Sequence, residues 1–198
     1  MRIALFVLVL CLVSCGHKKE ESRELVNRAN AVYLNFDIDT EKRIDSALTL
    51  VDSAIILDDE NFQAYLNKAT YLVGKRDIEG LLVNNLKMIA LKPDQPHWKA
   101  QRGLFLELTG NLTDANKLYN EATEQYEEIL KSNTLMNNDI NFRLEYITAL
   151  QLKGDSLKIK KEYNELKVKF PNNEILEMYD SVGFQSKEKL FEVWNEAN

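Results

Sequence analysis

Few residues in this chain can do chemistry, and their placement argues against catalysis. Cys11 and Cys15 both fall within the first fifteen of 198 residues, so the remainder holds no disulfide, thiolate metal site or thiol nucleophile. The two histidines are His17, close behind Cys15, and His97, which stands alone at the start of an expected helix with no partner for acid–base or metal work. Asp37, Asp39 and Glu41 alternate as calcium ligands do, but the glycine that sharpens a calcium loop is missing, and the stretch reads as a turn between helices. No HExxH, CxxC, phosphate-binding glycine loop or G-x-S-x-G elbow occurs. The expectation is a protein that binds without being an enzyme and without a metal or cofactor.

Cys15 is the exception, because of what precedes it. Met1-Arg2 makes a short basic start, and Ile3 to Val13 is an unbroken apolar run of eleven residues. That suffices for the core of a signal peptide and falls short of the roughly 20 residues that span a bilayer. Leu12-Val13-Ser14-Cys15 closes the run and resembles the lipobox of bacterial lipoproteins. The resemblance implies that residues 1–14 are a cleaved signal peptide, that Cys15 is acylated and becomes the first residue, and that 15–24 form a tether. Two or three acyl chains on one cysteine anchor a domain stably where a single chain does not. An ordinary signal peptide that happens to contain a cysteine is the alternative. Gly16, where an aspartate would retain many such lipoproteins in the inner membrane, implies the outer membrane of a two-membrane envelope. Lys19-Glu20-Glu21 is similar to a charged signal that sends some lipoproteins to the cell surface, but a solvated spacer is the preferred reading.

The elements that follow are helices by composition. With 45% apolar and 28% charged residues, the chain can bury a core, while only seven glycines and three prolines leave too few turn residues for a many-stranded fold. The formal charge of −6 becomes −7 without residues 1–14, whose single charge is Arg2; such a surface does not favour nucleic acid.

Residues 62–95 and 96–129 align at an offset of 34 with agreement in type: Ala69 with Gly103, Leu72 with Leu106, Asp77 with Asn111, Ile78 with Leu112. Gly103, Gly110, Ala115, Tyr119 and Ala122 stand at the spacing of the small and aromatic positions of the tetratricopeptide repeat, which the chain resembles. The earlier unit matches at Tyr65, Ala69 and Leu91-Lys92-Pro93 but departs at Leu81 and Asn85. One step back, Ala47, Val51 and Ala54 take second-helix core positions. Forward, the register resumes after a ten-residue slip near Asp139, with Gly154-Asp155, Tyr163 and Phe170-Pro171 in place. The expected fold is all-α, an antiparallel helix-pair solenoid of about four such units over residues 25–198. Its C-terminal capping helices comprise a segment over 173–181 and a last helix from Ser186 to Ala197 with Leu190, Val193 and Trp194 as its apolar stripe. Asp77, Thr113 and Asp155 read as N-caps, Gly110 and Gly154 as terminators, and residues 136–138 as a loop. A non-repeating helical bundle is the alternative, but it does not explain the shared period.

In the family, the first helix of each pair lines a concave face that holds a peptide or partner helix. Carried over by register, that face comprises Val32 and Phe36; Gln63, Leu66, Thr70 and Val73; His97, Ala100, Leu104 and Glu107; and Asn141, Leu144, Thr148 and Gln151. The lysine and asparagine clamp for a C-terminal carboxylate is absent from these positions. Glu107 to Glu128 carries six acids against Lys117, and Arg143 to Lys169 seven basic residues against four acids. These runs read as solvated faces or as partner-steering charge. The resemblance thus implies a membrane-held scaffold for a protein or peptide partner, of the kind that serves outer-membrane or secretion-complex assembly. A surface lipoprotein for glycan or nutrient capture is the competing reading.

Overall fold

The computed structural model describes the backbone of residues 2–182 together with Lys187, Lys189 and Glu192; side chains are described from 16 to 180 and at those three positions. Every regular element among the described residues is a helix, and the helices pack in consecutive pairs, so the chain is an all-α assembly of helix pairs. It divides into two compact units, 1–93 and 94–198.

Three turns carry the repeat, and all three are closed in the same way. Helix α3 (Phe62–Lys75) ends at Arg76, α5 (His97–Leu108) runs through Thr109 to Gly110, and α8 (Ile140–Lys153) ends at Gly154; these three residues have φ of 58°, 83° and 84°. The next amide then bonds back five residues, Asp77 to Leu72 at 3.0 Å, Asn111 to Leu106 at 2.9 Å and Asp155 to Leu150 at 3.0 Å. This left-handed closure satisfies carbonyls that a helix end leaves orphaned. The same residue caps the following helix through its side chain, which accepts from the amides of Gly80, Asp114 and Lys158 respectively. The middle cap is therefore Asn111 and not Thr113: once Gly110 has turned the chain, Asn111 faces the free amides, and Thr113 already lies inside α6 (Leu112–Ser132).

In the first unit α1 (Arg2–Tyr33) packs on α2 (Thr40–Leu57), α2 on α3, and α3 on α4 (Ile78–Leu91), with α1 also touching α3. Ile44, Ala47, Val51 and Ala54 share one face of α2 at intervals of three and four and are buried. Polar groups knit this unit as much as apolar ones do. Gln63 donates to Asn67, Asn67 to Asn30 Oδ1, and the Tyr71 hydroxyl to the same Oδ1, each at 2.8 Å. Ser22 is fully buried, donates to the Ala54 carbonyl and accepts from Asn61, both at 2.8 Å, so the packed body begins inside the stretch that reads as tether.

In the second unit α5 packs on α6, α6 on α8, α8 on α9 (Ser156–Lys169), and α5 also touches α8. The core between them is built on three wholly buried tyrosines, Tyr119, Tyr126 and Tyr146, against Ala100, Ala115, Ala122 and Ala149. Tyr126 lies 5.0 Å from the Phe142 ring centroid and 5.5 Å from that of Tyr146. Where α4 has 14 residues, α6 has 21, and the short α7 (Thr134–Asn137) occupies most of the expected loop. Together they account for the slip in the repeat. Beyond α9, α10 (Glu174–Val182) is held by Leu176 in a cluster with Leu144, Ile147, Tyr163 and Leu166. The Tyr163 hydroxyl sits 2.7 Å from the Leu176 carbonyl. The expected last helix, with Leu190, Val193 and Trp194, lies outside the described residues.

The charged runs meet across this unit. Lys158 of the basic run pairs with Glu127 of the acidic one, while Arg143, buried, binds Glu162 at 2.8 Å and Glu165 at 3.2 Å. A share of both runs is thus internal pairing.

Gly103 fixes how closely α5 and α6 approach. A Cβ there would lie 2.6 Å from Tyr119 Cε1 and 3.1 Å from the Ala115 carbonyl oxygen. Replacing a helix-interior glycine by alanine ordinarily gains up to about 1 kcal/mol. Here the ring cannot retreat, because Tyr119 is wholly buried and its hydroxyl is held by Glu107, so overpacking of about 1–3 kcal/mol outweighs that gain. Gly103→Ala is expected to lower the urea midpoint of unfolding; a midpoint equal to or above the parent's would show that Tyr119 yields.

Candidate functional site

The first-helix positions fall into separate groups once folded. In the first unit Gln63, Thr70 and Val73 are exposed on α3 and Leu66 is half-buried, while Gln63 also begins the amide string into Asn67. Val32 is half-buried, and the exposed Phe36 lies 4.5 Å beneath the Arg43 guanidinium. In the second unit Ala100 and Leu144 are core residues, the first among the tyrosines and the second against α9 and α10. Asn141 and Thr148 are exposed, and His97, Leu104, Glu107 and Gln151 are partly accessible.

His97 and Asn141 come together at a cavity of about 390 Å³, within the range that small ligands and side-chain anchors occupy. The slip in the repeat builds it. The added length of α6 supplies Ile129, Asn133 follows it and α7 contributes Met136, while α8 brings Asn141, Phe142 and Glu145 and its cap Asp139. Asp94, Gln95 and His97 complete the rim. An apolar floor of Ile129, Met136 and Phe142 thus meets three carboxylates and several amides. Among the described residues, no lysine, arginine, serine, threonine or cysteine lines the space.

Within the cavity, burial pushes the His97 imidazole down to about 4, so it is neutral at physiological pH. Its Nδ1 lies 3.5 Å from Glu145 Oε2, a long contact of a neutral ring and not an ion pair. Burial raises Glu145 above the ordinary carboxylate range, against a 3.3 Å hydrogen bond from the Tyr126 hydroxyl that pulls the other way, and Asp139 adds to the rise. Glu145 follows Asn141 by four residues and so shares its helical face, a signal the sequence carried.

A second feature lies at the other end of α5. The Tyr119 hydroxyl donates to Glu107 Oε2 at 2.8 Å, and the Lys187 ammonium approaches that same oxygen at 2.7 Å while lying 5.1 Å from the centre of the Tyr119 ring. Burial and the Glu107 carboxylate raise the Tyr119 pKa far above the usual phenol range, so its proton stays on the hydroxyl that orients the acid. Glu107 was a first-helix expectation; Lys187 was not, since nothing within reach of it along the chain points to residue 107.

Among the described residues no three His, Cys, Asp or Glu side chains gather as a metal site, and no helix is long and apolar enough to cross a membrane. Compared with known proteins, the chain matches no family model and no curated sequence.

The depressed pKa of His97 gives a signed pH dependence. Between about 4 and the unfolded value near 6.5 the unfolded chain binds the proton and the folded one does not, so falling pH favours unfolding through this window. The parent protein should therefore lose stability relative to His97→Gln as pH drops from 6.5 to 4. Chemical denaturation of both at pH 7, 5.5 and 4.5 tests this, and a constant difference would mean that His97 protonates freely when folded.

Proposed function

We propose that the protein is a lipid-anchored scaffold of the bacterial envelope, built of tetratricopeptide-type helix pairs, that binds a segment of a partner protein on its first-helix faces. The cavity between α5, α6, α7 and α8 carries this reading, because it is concave, has an apolar floor and a polar rim, and takes in two first-helix positions, His97 and Asn141. The turn chemistry repeated at Arg76, Gly110 and Gly154, 34 and then 44 residues apart, supports the repeat assignment. The Leu12-Val13-Ser14-Cys15 sequence supports the anchor. Ser22 is buried in the first unit, so an acyl group on Cys15 would lie within about seven helical residues, roughly 10 Å, of that packed residue. In this reading the site binds and positions without transforming its ligand, and the outer membrane is its location.

Two measurements test the two halves. Cys15→Ala should abolish palmitate incorporation and release the protein from membranes, and labelling that persists in this variant would remove the anchor. A photo-crosslinker at Thr148 in intact cells should capture a discrete partner, whereas one at Leu157, exposed on α9, should not. Equal capture at both positions would remove the first-helix face as the binding surface.

A further inference from the structure

The surface of α9 combines positive charge with apolar side chains left in water. Leu157, Lys161, Asn164 and Val168 follow one another at steps of four, three and four and so share one face of the helix, with Lys160 and Lys167 along its edge. All six are exposed, Leu157 and Val168 at 84% each, and these two stand about 16 Å apart, one at either end of the lysines. Both glutamates of the helix are turned to Arg143, Glu162 at 2.8 Å and Glu165 at 3.2 Å, which leaves its five lysines in excess. Lys158 is held by Glu127, Lys167 by Asp180 at 3.2 Å and Lys169 by Asn137. Among the described residues Lys160 and Lys161 are the cations that remain, the second 3.9 Å from Glu165 and too far for a hydrogen bond. Lys161 also borders a recess of about 340 Å³ between α6, α8 and α9, to which Lys131 and Arg143 contribute. Its carboxylates are already engaged, whereas Arg143, only 5% exposed, keeps an Nε with no acceptor, so the recess has donors to spare.

We propose that this face of α9 docks on a membrane surface bearing anionic phospholipid, with Leu157 and Val168 entering the interface and headgroup phosphates meeting Lys160, Lys161 and the recess beside them. Charge complementarity selects an anionic surface. The apolar ends select a bilayer, whose interface offers phosphate to ammonium groups and acyl chain to apolar side chains all along the helix. The lysine stems can lie along that boundary with their charges among the headgroups. An acidic protein segment would have to supply both kinds of contact in register. The inference goes beyond the scaffold reading and takes from it only that the chain is held at a membrane. Docking through α9 would orient the second unit at that surface, and since the His97 cavity is built by α5, α6, α7 and α8, it leaves that cavity open.

Flotation of the full-length Cys15→Ala chain with vesicles tests this without an acyl group. Vesicles of phosphatidylcholine with about 30% phosphatidylglycerol should bind it about tenfold better than phosphatidylcholine alone, and Lys160→Glu/Lys161→Glu should remove that preference. Lys42→Glu/Lys87→Glu, which makes the same charge change at exposed lysines of α2 and α4, should keep it. Leu157→Ser/Val168→Ser should weaken binding to the anionic vesicles with the fold intact, since both side chains already face water, and circular dichroism and the urea midpoint check that it is. Residues 1–14 are common to every sample, so whatever that apolar run contributes cancels. Equal binding to the two kinds of vesicle, equal losses in the two lysine double variants, or binding indifferent to Leu157→Ser/Val168→Ser would overturn the proposal. Displacement from anionic vesicles by millimolar inorganic phosphate at constant ionic strength would overturn it in favour of a free phosphate. If the α9 face fails while the parent chain still incorporates palmitate at Cys15, the anchor stands.

Discussion

Tyr119 can lie against α5 because residue 103 has no Cβ, and much of the second unit follows from that one close approach. The ring seals the space between α5 and α6, its hydroxyl reaches the end of α5, and Glu107 is thereby turned toward the position that Lys187 fills. A packing constraint thus becomes an electrostatic one. A carboxylate on an exposed helix surface would sweep several rotamers and hold a cation weakly, whereas one tied to a buried phenol presents its charge in a single place.

The two units use different means to the same end. In the first, alanines at 47 and 54 let α2 approach its neighbours, and the gaps are bridged by amides and hydroxyls: Asn30, Gln63, Asn67, Tyr71 and, at the other end, Ser22 with Asn61. In the second, three buried tyrosines fill the space and send their hydroxyls outward to Glu107, Glu145 and Glu127. Each tyrosine therefore joins a packed interior to a carboxylate at the surface, and two of those carboxylates, Glu107 and Glu145, belong to the features from which binding is argued.

The irregularity in the repeat is constructive. A strict period would have given α6 the 14 residues of α4. Seven more residues on the helix, then α7 capped by Asn133, hold the N-terminal ends of α5 and α8 around a space instead of a contact. The departure from the pattern is where the first-helix face of this unit acquires its depth.

The sequence by itself determined the all-α class, the pairing of helices and most of their ends, because those depend on short-range chemistry. Glycines at 110 and 154 adopt left-handed φ, acids at 77 and 155 cap the amides that follow, and alanines recur at helix spacing. Thr113 misled because it satisfies the cap preference as well as Asn111 does; the choice between them was made by where Gly110 turned the chain. Ala100 and Leu144 shared a helix face with accessible residues and were still drawn into the core, since a face only one or two residues wide is divided by whichever neighbours pack nearest. Tertiary structure alone decided that Asn141 and Glu145 of α8 meet His97 of α5 around a cavity, that the acidic and basic runs partly neutralise each other, and that Lys187 reaches Glu107. Those are contacts between residues tens of positions apart, and their existence depends on how whole helices sit, a quantity that no local pattern of side chains encodes.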